Sequence, residues 1–186
     1  MIFQDMIRER LKTETRAVHE RLETTLDLMS ESLTHERYEK TLLAMAAFYR
    51  GLEKQLSLLP GRVYEGRSKA AWFEQDYQAL KLDPSKEKPC PVVPHLNSEA
   101  EKLGAMYVVE GATLGGRFVS KHLSERLGLS GDSGASFFSA YREKTGERWK
   151  EFVAHLESTP GSADLVVSGA HQTFSALEKW LSQELG

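Results

Sequence analysis

The residue with the clearest chemical potential is His19, a histidine on the apolar side of a predicted helix. That side is formed by Leu11, Thr15, Val18, His19, Leu22 and Leu26. Glu23 follows one turn later, where a carboxylate can hold one imidazole nitrogen while the other binds a metal ion. Lys12, two turns before His19, places a cation at the edge of the same site. We predict that His19 is a metal ligand, although this segment alone favours a core histidine that is hydrogen-bonded within the protein.

A second predicted helix carries three glycines within six residues, in the segment from Tyr107 to Gly116. Each glycine inside a helix costs about 1 kcal/mol relative to alanine, so three together call for a physical reason. Gly111 and Gly115 are four residues apart and therefore share one helical face. A face without side chains admits either a flat ligand or another closely packed helix, and the glycines alone leave both open. A nucleotide loop is excluded because no strand precedes the segment and no lysine occupies the phosphate-loop position.

The two segments together predict more than either does alone. A histidine on one helix and a bare glycine face on another form the two sides of a slot for a planar macrocycle that carries a metal. Lys12 and Tyr107 are placed to meet acidic groups of such a ligand. His122 lies two turns after Gly115 on the same face and remains a rival metal ligand.

The elements that must position these residues are helices, because apolar residues recur at helical spacing and period-two alternation is absent. We predict an all-α chain of seven helices. Four are given by their spans, Phe3–Leu28, Ala70–Leu80, Ala135–Lys144 and Glu147–Leu156. Three begin at a cap: one runs from Ser32 or Thr34 to Leu59, one from the Ser98–Glu101 capping box to Leu127, and one from Thr159–Pro160 to Glu184. The proline-rich stretch 84–94 is interpreted as a surface crossover within one domain spanning residues 1–186. Aromatic residues such as Phe48, Tyr49, Trp72, Phe73 and Trp149 are expected in the core.

Composition limits the classes of partner. The 186-residue chain has a net charge of −3, which provides no general basic surface for nucleic acid or for a membrane. Cys90 is the only cysteine, so no internal disulfide can form. Residues 1–10 lack the apolar core of a signal peptide, and no stretch approaches the length of a membrane span. We therefore expect a cytoplasmic protein.

Both chemical segments resemble a known family. Leu11 to Glu20 resembles the proximal-helix motif of haem oxygenases, and Tyr107 to Gly116 resembles their distal helix, most closely that of the bacterial members. Residues 170–181 are similar to the C-terminal helix of the family. The resemblance covers nearly the whole chain, and it implies a single-domain multihelical fold with haem sandwiched between a proximal helix and a kinked distal helix.

The resemblance also implies roles for individual residues. His19 would be the axial iron ligand, with Glu23 as the partner of its second nitrogen. Gly111, Gly115 and Gly116 would form the distal wall that bends over bound dioxygen. The residues that would contact the haem propionates are Lys12, Tyr107 and, by a weaker match, Arg142.

The function that the resemblance implies is oxidative cleavage of haem, which is both substrate and cofactor, to biliverdin, carbon monoxide and iron. Dioxygen would be the co-substrate, electrons would come from an external reductase or ferredoxin, and a photoreceptor could use the biliverdin. Many members carry an aspartate directly after the first distal glycine, whereas this chain has Ala112. That departure keeps open a non-catalytic haem-binding or storage protein on the same fold. A thiaminase-like enzyme on a similar helical fold is a further alternative, against which His19, Glu23 and the glycines argue.

Overall fold

The structure is a computed structural model that describes residues 4–159 and 161–186. Within these residues the chain forms eight α-helices and two short 3₁₀ turns, and the same residues contain no strand. The helices are α1 (Gln4–Glu14), α2 (Arg16–Leu26), α3 (His35–Leu56), α4 (Ala70–Leu80), α5 (Glu99–Leu127), α6 (Ser136–Ser139), α7 (Thr145–Ser158) and α8 (Ala163–Leu185). The 3₁₀ turns cover Pro84–Lys86 and Arg142–Lys144. The predicted all-α fold is confirmed.

The predicted first helix is divided in two, which corrects the expectation of one helix over residues 3–28. The break lies at Thr15, whose hydroxyl donates to the carbonyl oxygen of Leu11 at 2.7 Å. A threonine that bonds back to the preceding turn competes with the helical hydrogen bonds and bends the helix. The second half ends at Leu26, because Asp27 adopts the left-handed conformation at φ 50°. Phe3, the predicted start, lies outside the described residues.

Helix ends with a local hydrogen-bond signature match their predictions. The Thr34 side chain accepts from the backbone of Arg37 at the start of α3. Ser98 and Glu101 form the predicted capping box of α5. Gly128 ends that helix at φ 69°, a conformation that suits glycine because it has no Cβ.

Two predicted helices differ from the structure. The single helix expected over 135–144 is interrupted after α6 at Ala140, where φ is 34° and ψ is −123°. The Thr159–Pro160 cap is wrong, because Ser162 is the N-cap residue of α8 and Thr159 instead ends α7. Pro160 lies outside the described residues.

The C-terminal helix α8 packs against α1, α2, α3 and α5, so it connects the helices that carry both chemical segments. Its closest approach is to α5, where a Cβ atom at Gly104 would lie 1.9 Å from the carbonyl oxygen of Val166. A Cβ atom at Gly169 would lie 2.1 Å from the carbonyl oxygen of Glu101. Two glycines therefore allow α5 and α8 to cross backbone to backbone.

The core prediction is confirmed for Phe48, Tyr49 and Phe73, which are buried, while Trp72 and Trp149 are half-buried beside it. Phe137 of α6 stacks on Phe73 with ring centroids 4.3 Å apart. None of the helices within residues 4–159 and 161–186 is long and apolar enough to cross a membrane.

Candidate functional site

One face of α5 changes along its length from a packed surface to an open one. The face carries Gly104, Tyr107, Gly111, Gly115, Phe118 and His122. It is closed at Gly104 by α8 and at His122 by a hydrogen bond of 3.0 Å between the imidazole Nε2 and the carbonyl oxygen of Ser30. With a rise of about 1.5 Å per residue, these two ends are roughly 27 Å apart. The open part lies between them.

Gly115 is the most accessible glycine of this face. A Cβ atom there would meet no atom of the described residues within 4 Å, apart from the adjacent backbone of α5. At Gly111, a Cβ atom would contact the Trp149 ring at 3.8 Å. Ala112 is exposed beside them. The face therefore has room for a ligand directly on the helix backbone at Gly115, with Trp149 beside Gly111.

α1 and the turn after α2 each come close to this face at one point. At one end, the charges of Arg8 and Glu9 act on the phenol of Tyr107, whose pKa is raised mainly by burial. At the other end, the turn after α2 reaches His122 through Ser30. His19 on α2 lies between these two points in the chain.

The His19 side chain is 49% exposed, and its ring edge contacts Phe174 of α8 with centroids 5.4 Å apart. Glu23 Oε1 lies 3.8 Å from His19 Nε2, beyond hydrogen-bond range, and the Glu23 side chain is more exposed still. His19 Nε2 therefore faces Glu23 without a hydrogen bond to it. Such a pair has the components of a metal ligand with a carboxylate partner.

The other predicted site residues are placed differently. Lys12 is exposed on α1, one turn after Arg8. Arg142 is exposed, has a φ of 53° and pairs with Asp132. Gly116 faces away from the open stripe, and a Cβ atom there would lie 2.6 Å from the carbonyl oxygen of Phe138. The structure thus brings Tyr107, Gly111 and Gly115 together on one stripe and places Gly116 at the packing contact with α6.

The open stripe has an apolar border suited to a flat, largely apolar ligand. Phe118 follows Gly115 on the same face and is 73% exposed, and Met29, next to Ser30, is 55% exposed. Large apolar side chains at the mouth of a cleft favour an apolar ligand. A half-exposed imidazole on α2, a bare backbone at Gly115 and exposed apolar side chains are features that a haem site uses.

Sequence reasoning missed a buried ionic cluster directly behind Gly111. The Glu110 carboxylate contacts the Arg67 guanidinium and the Lys69 ammonium at 2.6 Å each. The Tyr141 hydroxyl also donates to Glu110, at 3.0 Å. A glutamate between buried Val109 and the glycine face was the available signal, because a charge at an interior helix position requires a partner.

Comparisons with known proteins agree with this geometry. A family model described as "Heme oxygenase" matches residues 5–183. A protein of Xanthomonas campestris pv. campestris named heme oxygenase is 27% identical over 157 residues, which cover 80% of this chain and 91% of that protein.

Two solved structures share the fold. A heme oxygenase from Neisseria meningitidis, solved with NO and CO bound, superimposes with a TM-score of 0.82 at 24% identity and covers 97% of this chain and 92% of its own. A heme oxygenase from Leptospira interrogans gives a TM-score of 0.80 at 17% identity, covering 95% of this chain and 98% of its own.

Proposed function

Because this chain belongs to the haem oxygenase family, we propose that it binds haem between His19 on α2 and the Gly111–Gly115 stripe of α5. Haem oxygenase activity then means oxidative cleavage of that haem to biliverdin, carbon monoxide and iron. The observation that carries the proposed site is the bare backbone at Gly115, combined with a half-exposed imidazole on α2 in a part of the chain that reaches the same α5 face before and after His19. Haem is the substrate, and when bound it also supplies the iron at which dioxygen is activated.

The role of His19 is to hold the substrate from one side. A neutral imidazole supplies one nitrogen to iron and keeps a proton on the other. Glu23 is one turn away and would accept a hydrogen bond from that N–H once the ring turns, which fixes the tautomer and the ring plane. The Phe174 contact limits how far the ring can swing.

The role of α5 is to leave space on the opposite side. Gly111 and Gly115 let the helix backbone approach the bound substrate, which excludes bulk water and leaves a gap for a small gas molecule such as dioxygen. Ala112 contributes no carboxylate, so backbone groups and water must provide any polar contact in this gap. This is a steric and positional role, and it needs no acidic side chain.

Three basic or phenolic groups would meet the haem propionates. Lys12 lies one turn from Arg8 on α1, and Arg8 neighbours Tyr107, so Lys12 and Tyr107 are available at the same end of the stripe. Arg142 is paired with Asp132 on the surface, and an exposed ion pair is worth at most about 1 kcal/mol, so Arg142 can exchange its partner for a propionate.

Electrons for the reaction would come from a separate reductase or ferredoxin, and we place the reaction in the cytoplasm. Use of the biliverdin by a photoreceptor stays a prediction. The alternative of a non-catalytic haem-binding or storage protein rests on Ala112. The family match leaves the thiaminase-like alternative without support.

The deciding experiment is a haem titration followed by addition of a reductant in air, both monitored by visible absorbance. A haem oxygenase loses the main haem band and accumulates the biliverdin band. A storage protein binds haem but keeps its band through repeated reduction and reoxidation. A protein that does not bind haem stoichiometrically contradicts both functions.

A further inference from the structure

The cluster behind Gly111, which we call the Glu110 cluster, consists of Glu110, Arg67, Lys69 and Tyr141. Glu110 and Lys69 are each 1% exposed and Arg67 is 5% exposed. Glu110 Oε2 accepts from Arg67 and Oε1 accepts from Lys69, both at 2.6 Å. The cluster therefore uses both oxygens of one buried carboxylate to bind two separate cations.

The Glu110 cluster ties α5 to two segments far away in the chain. Arg67 and Lys69 belong to the loop before α4, whereas Tyr141 lies between α6 and α7. Arg67 also donates to the carbonyl oxygen of Arg148 on α7 at 3.2 Å. A shift of α5 along or around its axis would break several of these contacts at once.

The Lys69 side chain of the Glu110 cluster has three oxygen neighbours at hydrogen-bond distance. The Lys69 ammonium donates to the Arg67 carbonyl, to Glu110 and to the Tyr141 hydroxyl. Burial lowers the pKa of Lys69 and Glu110 opposes this. The three oxygens lie 2.6–2.8 Å from Lys69 Nζ, and the Glu110 carboxylate among them favours the ammonium form.

Stability alone is a weak reason for such a cluster. Buried ion pairs recover their desolvation penalty only in part, and apolar residues of similar size often stabilise a fold equally well. A cluster of directional hydrogen bonds also fixes the relative position of the segments that it joins. Here the segment whose position is fixed is the turn of α5 that begins at Gly111.

We propose that Glu110, Arg67, Lys69 and Tyr141 are positioning residues for haem cleavage, which set the rotation and axial position of the Gly111–Gly115 stripe relative to the substrate. Glu110 directly precedes Gly111 and points about 100° around the α5 axis from it, so fixing the carboxylate fixes where the glycine backbone faces. Tyr141 precedes Arg142, so the same cluster also holds the predicted propionate contact. The inference rests on the proposed function.

The test compares Glu110→Gln with Glu101→Gln. Both residues are buried carboxylates on α5, and Glu101 accepts from the backbone of Asn97 and Ser98 at the far end of the helix. Each variant retains side-chain size and loses charge. Tyr141→Phe, which removes one hydroxyl, is the milder variant that decides the question if Glu110→Gln does not fold.

Three measurements are made on each variant. The first is hydrogen exchange of the amides at 108–116 in haem-free protein. The second is the C–O stretching band of the ferrous haem–CO complex, which reports the surroundings of a gas molecule on iron. The third is the rate of biliverdin formation at saturating haem.

We expect Glu110→Gln to bind haem, to exchange the 108–116 amides faster, to split or shift the C–O band, and to form biliverdin about tenfold or more slowly, because small misplacements reduce rates steeply. Tyr141→Phe should change the same three quantities less. Glu101→Gln should lower the melting temperature but keep the wild-type band and rate.

A wild-type band and rate in Glu110→Gln, or in Tyr141→Phe if only that variant folds, would overturn the positioning role. So would the same band change in Glu101→Gln. Failure of the wild-type protein to convert haem would instead contradict the proposed function, so the two failures are distinguishable.

Discussion

At the scale of single residues, His19 combines a half-exposed ring, a nearby carboxylate and a contact with α8. We predict that His19→Ala loses the histidine-ligated haem spectrum and biliverdin formation while it folds normally, because the ring supports little of the core. Visible spectroscopy of the haem complex and thermal unfolding measure the two effects. His122→Ala is the control, since His122 Nε2 already forms a hydrogen bond with the Ser30 carbonyl oxygen. Loss of the spectrum in His122→Ala alone would assign the ligand to His122 instead.

Adjacent glycines on α5 should respond in opposite ways to the same substitution. Gly115→Ala adds a methyl group into open space, so folding should be unaffected or stabilised by up to about 1 kcal/mol. The methyl group would then occupy the gap next to bound haem. We predict haem binding at normal stoichiometry with biliverdin formation that stalls or diverts to peroxidase-like products, followed by absorbance after aerobic reduction.

Gly116→Ala is the matched control for that prediction. Its methyl group would lie 2.6 Å from the Phe138 carbonyl oxygen, so α6 must move and the protein should lose about 1–3 kcal/mol of stability. Chemical denaturation measures this loss. If Gly115→Ala forms biliverdin at the wild-type rate, the stripe does not lie on the oxygen side of haem.

At the scale of elements, α6 depends on a carboxylate from α4. Asp76 is fully buried and accepts from the backbone of Ser136 at 2.6 Å and of Phe137 at 2.9 Å. Burial outweighs these donors and raises the pKa of Asp76 to about 6. Since α6 packs on Gly116, Asp76 supports the back of α5 from a second helix.

The sign of the resulting pH dependence follows from that pKa. The pKa of an aspartate in the unfolded chain is about 3.9. The stabilising contribution of Asp76 is therefore complete below that pH and is lost as the pH rises through about 6. We predict that the free energy of unfolding of wild type minus that of Asp76→Asn falls by at most about 3 kcal/mol between those two values and is constant above them. Denaturation at a series of pH values measures it. A difference that rises with pH would show that the backbone donors dominate.

At the scale of the whole molecule, the crossing of α5 and α8 sets the geometry of the site, because α8 also supports α2. We predict that Gly104→Ala destabilises the protein by about 3 kcal/mol, since the new methyl group would overlap the Val166 carbonyl oxygen. The melting temperature should fall by roughly 10 °C, as followed by circular dichroism. Gly146→Ala on α7, where a Cβ atom meets no described neighbour within 4 Å, should leave it unchanged or raise it. Equal stability of the two variants would mean that the α5–α8 crossing accommodates a methyl group at Gly104.

The sequence by itself determined what depends on neighbours a few residues away. The ends of α5 could be predicted because a capping box and a left-handed glycine form their hydrogen bonds within one turn. The shared helical face of Tyr107, Gly111 and Gly115 could be predicted from their spacing, whereas their pairing with His19 stays a prediction. The family followed from the same two segments.

Only the tertiary structure distinguished glycines that look alike in sequence. Gly104 and Gly116 lie against other backbones while Gly115 lies open, and that difference depends on where α8 and α6 pass. The Glu110 cluster was likewise hidden, because Lys69 and Glu110 are 41 positions apart. Whether a buried charge finds a partner is decided by packing between distant segments, which local periodicity does not encode.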